Sequence, residues 1–436
     1  MLETLKNAWK VKELRNKILF TVFILLVFRI GSIIPVPYID IAVLRESMTG
    51  DDVNAFFSYL SILTGGGLEY GSIFAMSVTP YINASIIVQL LCVVIPAWER
   101  YSKEGEEGQK KLAKITRFAT VILSLIQGIA FFFYLKNGDS RMGVSSFLTV
   151  NGGFATVFAG FVIVLAFTAG SALVMWLGEQ IDAKGIGNGI SILLFAGILS
   201  RGPQAFGSLW VQWSEYNQKF QVIAVVIAFL AVIAFVVWMT EAERRIPVQY
   251  AKRVVGNKMY GGQNTHIPIK VNMSGVMPII FASSILMLPT MILGFMNAKQ
   301  QASAFGKILQ LFSVRGLFYA VIYFLMIIGF AYFYATIQFN PVEMTNNLRK
   351  NGGAVPGIRP GKPTSDFISK ILSRITLLGA LFLSVIAILP IVVGNIGTIN
   401  VSLGGTSVLI MVGVALDTVR NLESQMMMRH YKGFLD

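Results

Sequence analysis

The chain holds one cysteine and two histidines in 436 residues, and its 22 acidic residues face 36 Lys and Arg. A lone Cys92 excludes an internal disulfide and reads as a small core residue in an apolar run. His266 and His430 are far apart in sequence, so no Cys/His cluster offers a metal site. The sequence lacks a G-x-x-x-x-G-K-[ST] phosphate loop, an H-E-x-x-H helix and an EF-hand loop. It also lacks the G-x-S-x-G nucleophile turn. No catalytic residue, metal or cofactor is expected, and any energy that the protein uses must come from a partner.

Charge is also missing from the middle of the long apolar runs. Ion- and proton-coupled transporters need Asp, Glu, His or Arg inside their spans. Here Arg29, Glu179, Glu241, Asp417 and Arg420 fall near run ends, where a long side chain reaches the interface cheaply. The polarity that remains is mild: Thr79, Asn83, Ser85, Gln89, Gln127, Asn188 and Ser191 suit ordinary interhelical hydrogen bonds.

What is present is apolar residue, 55% of the chain, against about 45–50% in soluble domains. The runs extend from end to end, which indicates one polytopic membrane domain. Ten spans are expected, at 18–36, 73–95, 115–135, 154–177, 185–200, 220–240, 274–294, 316–338, 371–392 and 403–422. They divide into an N-terminal half, 1–200, and a C-terminal half, 201–436, of five spans each, with an inverted repeat possible. The charged start reads as a retained segment. Alternate loops carry most of the Lys and Arg behind the net charge of +14, so the positive-inside rule places both termini in the cytoplasm.

Several stretches exceed what topology needs. Residues 60–72 are too short to cross a membrane and too apolar for a plain loop, so a re-entrant segment is expected, with an interfacial loop as the alternative. Ile82 and Ile86, and likewise Ile190 and Leu194, stand four residues apart on one helix face; by pattern alone this is lipid contact or core. Gly185, Gly187 and Gly189 allow close backbone approach and weaken the helix start. The 241–273 loop alternates apolar, aromatic and basic residues around Gly261–Gly262, which predicts a hairpin. The 339–370 loop contains GGAVPGIRPGKPT. Its three prolines fix backbone angles, so it reads as a shaped protrusion with Arg359 at the tip, able to make a forked contact with carboxylate or phosphate.

Seven motifs in order resemble the SecY family of bacterial protein-translocation channels: RIGSIIPVPYID from Arg29, SIFAMSVTPYINASIIVQLL from Ser72, KEGEEGQKK from Lys103, WLGEQIDAKGIGNGISI from Trp176, NTHIPIKVNMSGVMPIIFASS from Asn264, GAVPGIRPG from Gly353 and GGTSVLI from Gly404. The chain departs from the family at Tyr38, where glycine is usual, and at Met76–Thr79, which are polar for the family. The resemblance implies an all-α channel of ten helices in two pseudo-symmetric halves with a re-entrant plug. Secretory chains would cross its centre and membrane-protein helices would leave sideways into the lipid bilayer. It implies a pore ring of Ile82, Ile86, Ile190, Leu194, Ile280 and Ile410, and a plug containing Leu60, Ile62, Leu63, Gly65, Gly66, Gly67 and Leu68. It further implies SecE and SecG as companion subunits. The motor ATPase SecA or the ribosome would dock on Arg244, Arg245, Lys252, Arg253, Lys258, Arg349, Lys350, Arg359 and Lys362, and signal-sequence-bearing precursors would be the cargo. An apolar ring suits this work, since it closes around a chain without binding it and dewets when empty. The alternatives are an accessory channel of this type with few substrates, and a secondary transporter, against which the charge-free spans argue.

Overall fold

The computed structural model describes residues 9–49, 61, 64–137, 146–150, 152–214, 219–250, 253–255, 258–260, 264–273, 275–295, 303–312, 316–396 and 405–432. The chain forms two compact units. One comprises Met1–Asn217, Leu286–Gly316 and Val414–Asp436; the other comprises Gln218–Ile285 and Leu317–Gly413.

Along the chain the first elements are α1 (Lys12–Gly31), α2 (Ile41–Thr49), α3 (Thr79–Val94), α4 (Pro96–Lys103), α5 (Glu106–Asn137), α6 (Gly153–Lys184), α7 (Gly189–Leu199) and α8 (Gly202–Ser214). Then come α9 (Lys219–Glu241), strands β1 (Glu243–Tyr250), β2 (Arg253–Val255), β3 (Lys258–Tyr260) and β4 (Asn264–Lys270), and α10 (Met277–Phe295). The chain continues through α11 (Ala304–Gln310), α12 (Leu317–Gln338), α13 (Pro341–Lys350), β5 (Gly353–Ala354), α14 (Lys362–Ile396) and α15 (Gly405–Lys432).

A helix overlies each of the ten expected spans. Six described helical stretches are long and apolar enough to cross a membrane by length and composition. α1, α3, α10 and α15 overlie the remaining expected spans. Helix ends follow local chemistry. Pro96 cannot extend α3, so Ile95 turns extended and Pro96 opens α4 instead. Asn188 caps α7 by accepting from the Ser191 amide at 3.0 Å, and Asn340 caps α13 in the same way.

At one end of the first unit, irregular chain packs between helices. Val36, Ile39, Leu44, Leu68, Ala75 and Met76 pack with Phe131, Leu135, Phe147, Ile163 and Phe167 of α5, α6 and the loop between them. Phe131 meets Phe167 edge-on at 5.4 Å. The backbone is tied as well: Asp40 donates to the Phe147 carbonyl at 2.9 Å, and Phe147 to that of Leu135 at 2.8 Å. At the other end of this unit, Leu14 of α1, Ile186 and Leu422 of α15 form a small buried cluster, and Lys17 donates to Gln425 at 3.1 Å. The described starts and ends of the chain therefore meet on one side.

In the second unit, α12 and α13 pack on α14. The 241–273 loop is a hairpin as the alternation predicts: β1 pairs antiparallel with β4, from Glu243 opposite Lys270 to Gln249 opposite Asn264. The tight pairing at its tip joins β2 to β3 across residues 256–257. The Gly261–Gly262 pair, expected at the turn, lies between β3 and β4 and outside the described residues.

Candidate functional site

The segment that precedes α3 is the most unusual backbone of the first unit. Residues 64–78 form successive turns, with Gly65, Gly66 and Gly71 at φ of 63, 89 and 53°, conformations that glycine adopts without steric cost. Of the residues expected in the plug, Leu60, Ile62 and Leu63 lie outside the described residues. Leu68 is buried in the core cluster described above. The segment is pinned to the chain after α1 by an isolated bridge between Pro35 and Ser72. The Val36 amide donates to the Gly71 carbonyl at 2.9 Å, and the Ile73 amide to that of Ile34 at 3.0 Å. Two small residues make room for it. A Cβ on Gly31 would fall 2.0 Å from the Phe74 ring, and one on Gly170 of α6 would fall 2.0 Å from the Ile73 carbonyl.

The polar contacts of this segment were not legible in the sequence. The Arg29 guanidinium donates to the Gly65 carbonyl at 3.0 Å instead of reaching for an interface. That carbonyl also accepts from Ser200 Oγ at 3.3 Å. Arg201, in the turn between α7 and α8, donates to both Ser61 and Glu69, and Ser61 donates to Glu69 at 2.8 Å. Side-chain exposure is 13% for Arg201 and 9% for Glu69. A single acid inside an apolar, glycine-rich stretch was the available signal, because such a charge demands a partner. Glu179, also near a span end, pairs with Arg117 at 2.6 Å.

Helix α3 starts at Thr79 with Pro80 in its first turn. Ile82 and Ile86 follow one turn apart; Ile86 is buried and Ile82 half-buried. On α7, Ile190 and Leu194 are both buried, and Ile190 seats its Cδ1 where a Cβ on Gly178 of α6 would lie 2.5 Å away. At the start of α7 the glycines make the close approach expected of them. A Cβ on Gly189 would sit 2.0 Å from the Gly178 carbonyl, and the Gly189 amide donates to Asp182 at 2.7 Å. In the second unit, Ile280 is half-buried in the first turn of α10, and Ile410 is buried on α15. Of the mild polar residues, Gln89 donates to Ser85 at 3.2 Å. Thr79 Oγ1 and Asn83 Oδ1 are buried without a partner among the described residues.

The two basic loops form one body. Gln249 and Tyr250 of β1 pair with Ala354 and Gly353 of β5, so GGAVPGIRPGKPT adds a strand to the hairpin. Ile246, Ile269, Val355, Ile368 and Leu372 are buried together beneath it. β1 shows the alternation, with Ile246 and Val248 inside and their neighbours exposed. The protrusion is tied at its base, where Thr364 Oγ1 donates to the Arg359 carbonyl at 2.8 Å. Arg244, Arg245, Arg349, Lys350, Arg359 and Lys362 are all exposed on this body. Arg245 pairs with Glu243 at 2.6 Å. Lys252 lies outside the described residues, and Arg253 and Lys258 are placed only as strand positions in β2 and β3.

Comparison with known proteins gives the family and the fold. The SecY family matches residues 72–419. The chain is 42% identical over 444 aligned residues to the protein translocase subunit SecY of Halalkalibacterium halodurans, covering 100% of both chains. Among solved structures, it superposes with a TM-score of 0.63 and 19% identity on a SecY whose plug domain is described as stabilising the closed state and maintaining a membrane seal, covering 94% of this chain and 92% of that one. It superposes with a TM-score of 0.59 and 16% identity on Sec61 of the canine ribosome–channel complex, over the same shares of each chain. With its length matched from end to end at 42% identity, this multi-pass chain belongs to the SecY family.

Proposed function

We propose that this protein is the polypeptide-conducting subunit of a bacterial cytoplasmic-membrane translocon. It passes secretory chains across the membrane and releases membrane-protein helices sideways into lipid. The observation that carries this reading is full-length identity to a SecY translocase subunit; a secondary transporter is disfavoured by the same match.

Residues 1–200 and 201–436 act as the two halves of the channel. Ile82, Ile86, Ile190, Leu194, Ile280 and Ile410 form its apolar constriction, and the 60–72 segment is the plug. Support for the plug comes from its irregular, glycine-rich backbone and its burial in the first unit. SecE and SecG are the companion subunits that family membership implies. The exposed cations on the sheet body serve SecA and the ribosome, and the fused loops support this by presenting several of them on one packed scaffold. Both termini are cytoplasmic, supported by the loop charge bias and by the meeting of α1 with α15.

The test is reconstitution of the purified protein with SecE, SecG and SecA in liposomes, followed by ATP-driven protection of a signal-sequence-bearing precursor from protease. Protection that depends on both this chain and the signal sequence is expected. Its absence, with all subunits assembled, would overturn the reading.

A further inference from the structure

The described part of the plug segment, Ser61 and residues 64–72, is held by charge as well as by apolar packing, and the charges belong to elements far apart in sequence. We propose that Glu69 and Arg201 form an electrostatic latch that holds this segment in its closed seat. The proposal rests on the reading of the segment as a plug.

Three observations converge. First, both charges are largely buried, at 9% and 13% side-chain exposure, and each is the other's partner. Neither is tolerated in that setting alone, because an unpaired charge out of water is strongly disfavoured. Second, the two sides of the pair differ in how they are anchored. Arg201 sits in a turn whose backbone is fixed independently: its amide donates to Ile198 at 3.2 Å, and its carbonyl accepts from Ala205 at 3.0 Å. Glu69 sits among left-handed Gly65, Gly66 and Gly71, which allow that stretch to change course with little steric cost. Movement of the segment therefore separates Glu69 from a stationary Arg201. Third, the contacts around the pair point the same way. Ser61 bonds to both Arg201 and Glu69, while Arg29 and Ser200 hold the Gly65 carbonyl. Arg29 of α1 and Arg201 of the turn after α7 thus both hold the described part of this stretch, Ser61 and residues 64–71.

An ion pair confined by low-dielectric surroundings loses its attraction and exposes desolvated charge as it opens. The seat is consequently two-state, either latched or released. Glu69 and Arg201 are positioning residues, and they set how often the resting channel opens without cargo.

The test uses the assembled channel in planar bilayers, reading resting ion conductance for Glu69→Gln, Arg201→Gln, the double variant, the exchange Glu69→Arg with Arg201→Glu, and a deletion of 61–71. Each single variant is expected to raise the spontaneously open fraction about tenfold or more, the factor for each ~1.4 kcal/mol lost. The double variant should open no more than the leakier single one, and the exchange should restore closure at least partly. Such non-additivity separates a pairwise latch from general loosening of the fold. Arg201→Lys keeps the charge and should lie between wild type and Arg201→Gln, which provides a reading if Arg201→Gln does not accumulate. Wild-type conductance in both single variants, with a leaky deletion, overturns the latch and leaves the plug reading intact. A silent deletion overturns both.

Discussion

Ser77→Gly should stabilise this protein, against the usual direction of a glycine substitution. Ser77 is buried, at 1% exposure, and has a φ of +46°. It lies in the last turn before α3, where its amide donates to the Phe74 carbonyl at 2.8 Å. Its Oγ has no partner among the described residues. Two costs therefore fall on one side chain. A left-handed backbone costs an L-residue about 1–2 kcal/mol, and a buried unpaired hydroxyl costs about 1–3 kcal/mol. Glycine removes both and adds about 0.5–1 kcal/mol of chain entropy lost on folding. The net gain is about 3 kcal/mol, near the middle of the range these terms span. Ser77→Ala separates the two contributions, since it removes the hydroxyl and keeps the strained φ. Denaturant- or heat-induced unfolding of the purified protein in mild detergent should rank Gly above Ala and Ala above wild type. If wild-type Ser77 proves the most stable of the three, the backbone or the hydroxyl is not as described and the reasoning fails.

Gly189→Ala should be strongly destabilising, by about 1–3 kcal/mol or more as for an overpacked core, because the new methyl would lie 2.0 Å from a backbone oxygen of Gly178; melting of the purified variant checks it, and an unchanged midpoint would count against the close approach. Arg359→Glu should cut SecA-driven translocation sharply while leaving expression and melting unchanged, since the side chain is exposed and surface changes alter stability by only about ±0.5 kcal/mol. Lys362→Glu should be milder, its ammonium being less bound to one geometry; equal translocation by Arg359→Glu and wild type would remove the docking role. Replacing Ile82 and Ile86 together with Ser should raise ion leak through the resting channel, and a tight channel would argue against these residues as part of the constriction.

Much of the architecture was legible because its signals are local. Ten apolar runs each became helix, since a span must satisfy its backbone internally and needs only length and apolar content to declare itself. The helix boundaries at Pro96 and Asn340 follow chemistry confined to a few residues, whereas Asn188, expected to make an interhelical hydrogen bond, caps α7 instead. Alternation in 241–273 announced the hairpin, and the glycines at the start of α7 announced a close approach. The resemblance also singles out Tyr38 and Met76–Thr79 as departures from the family pattern. Only the folded backbone explains why glycine would suit position 38, where Tyr38 has a φ of 71°, and it is left-handed at Ser77 as well.

What tertiary structure alone decided is which distant residues meet. Arg201 reads in the sequence as one more loop charge and Glu69 as an acid in a glycine-rich stretch, yet they pair across 132 positions. Arg29 reads as a snorkelling end charge and instead binds the Gly65 carbonyl 36 residues on. The two basic loops read as separate protrusions and are joined through β1 and β5 over a common apolar core. Hydrophobic runs and caps are properties of adjacent residues, so the chain states them directly. The partner of a buried charge or of a strand edge depends on how whole helices pack, and no window of sequence contains that information.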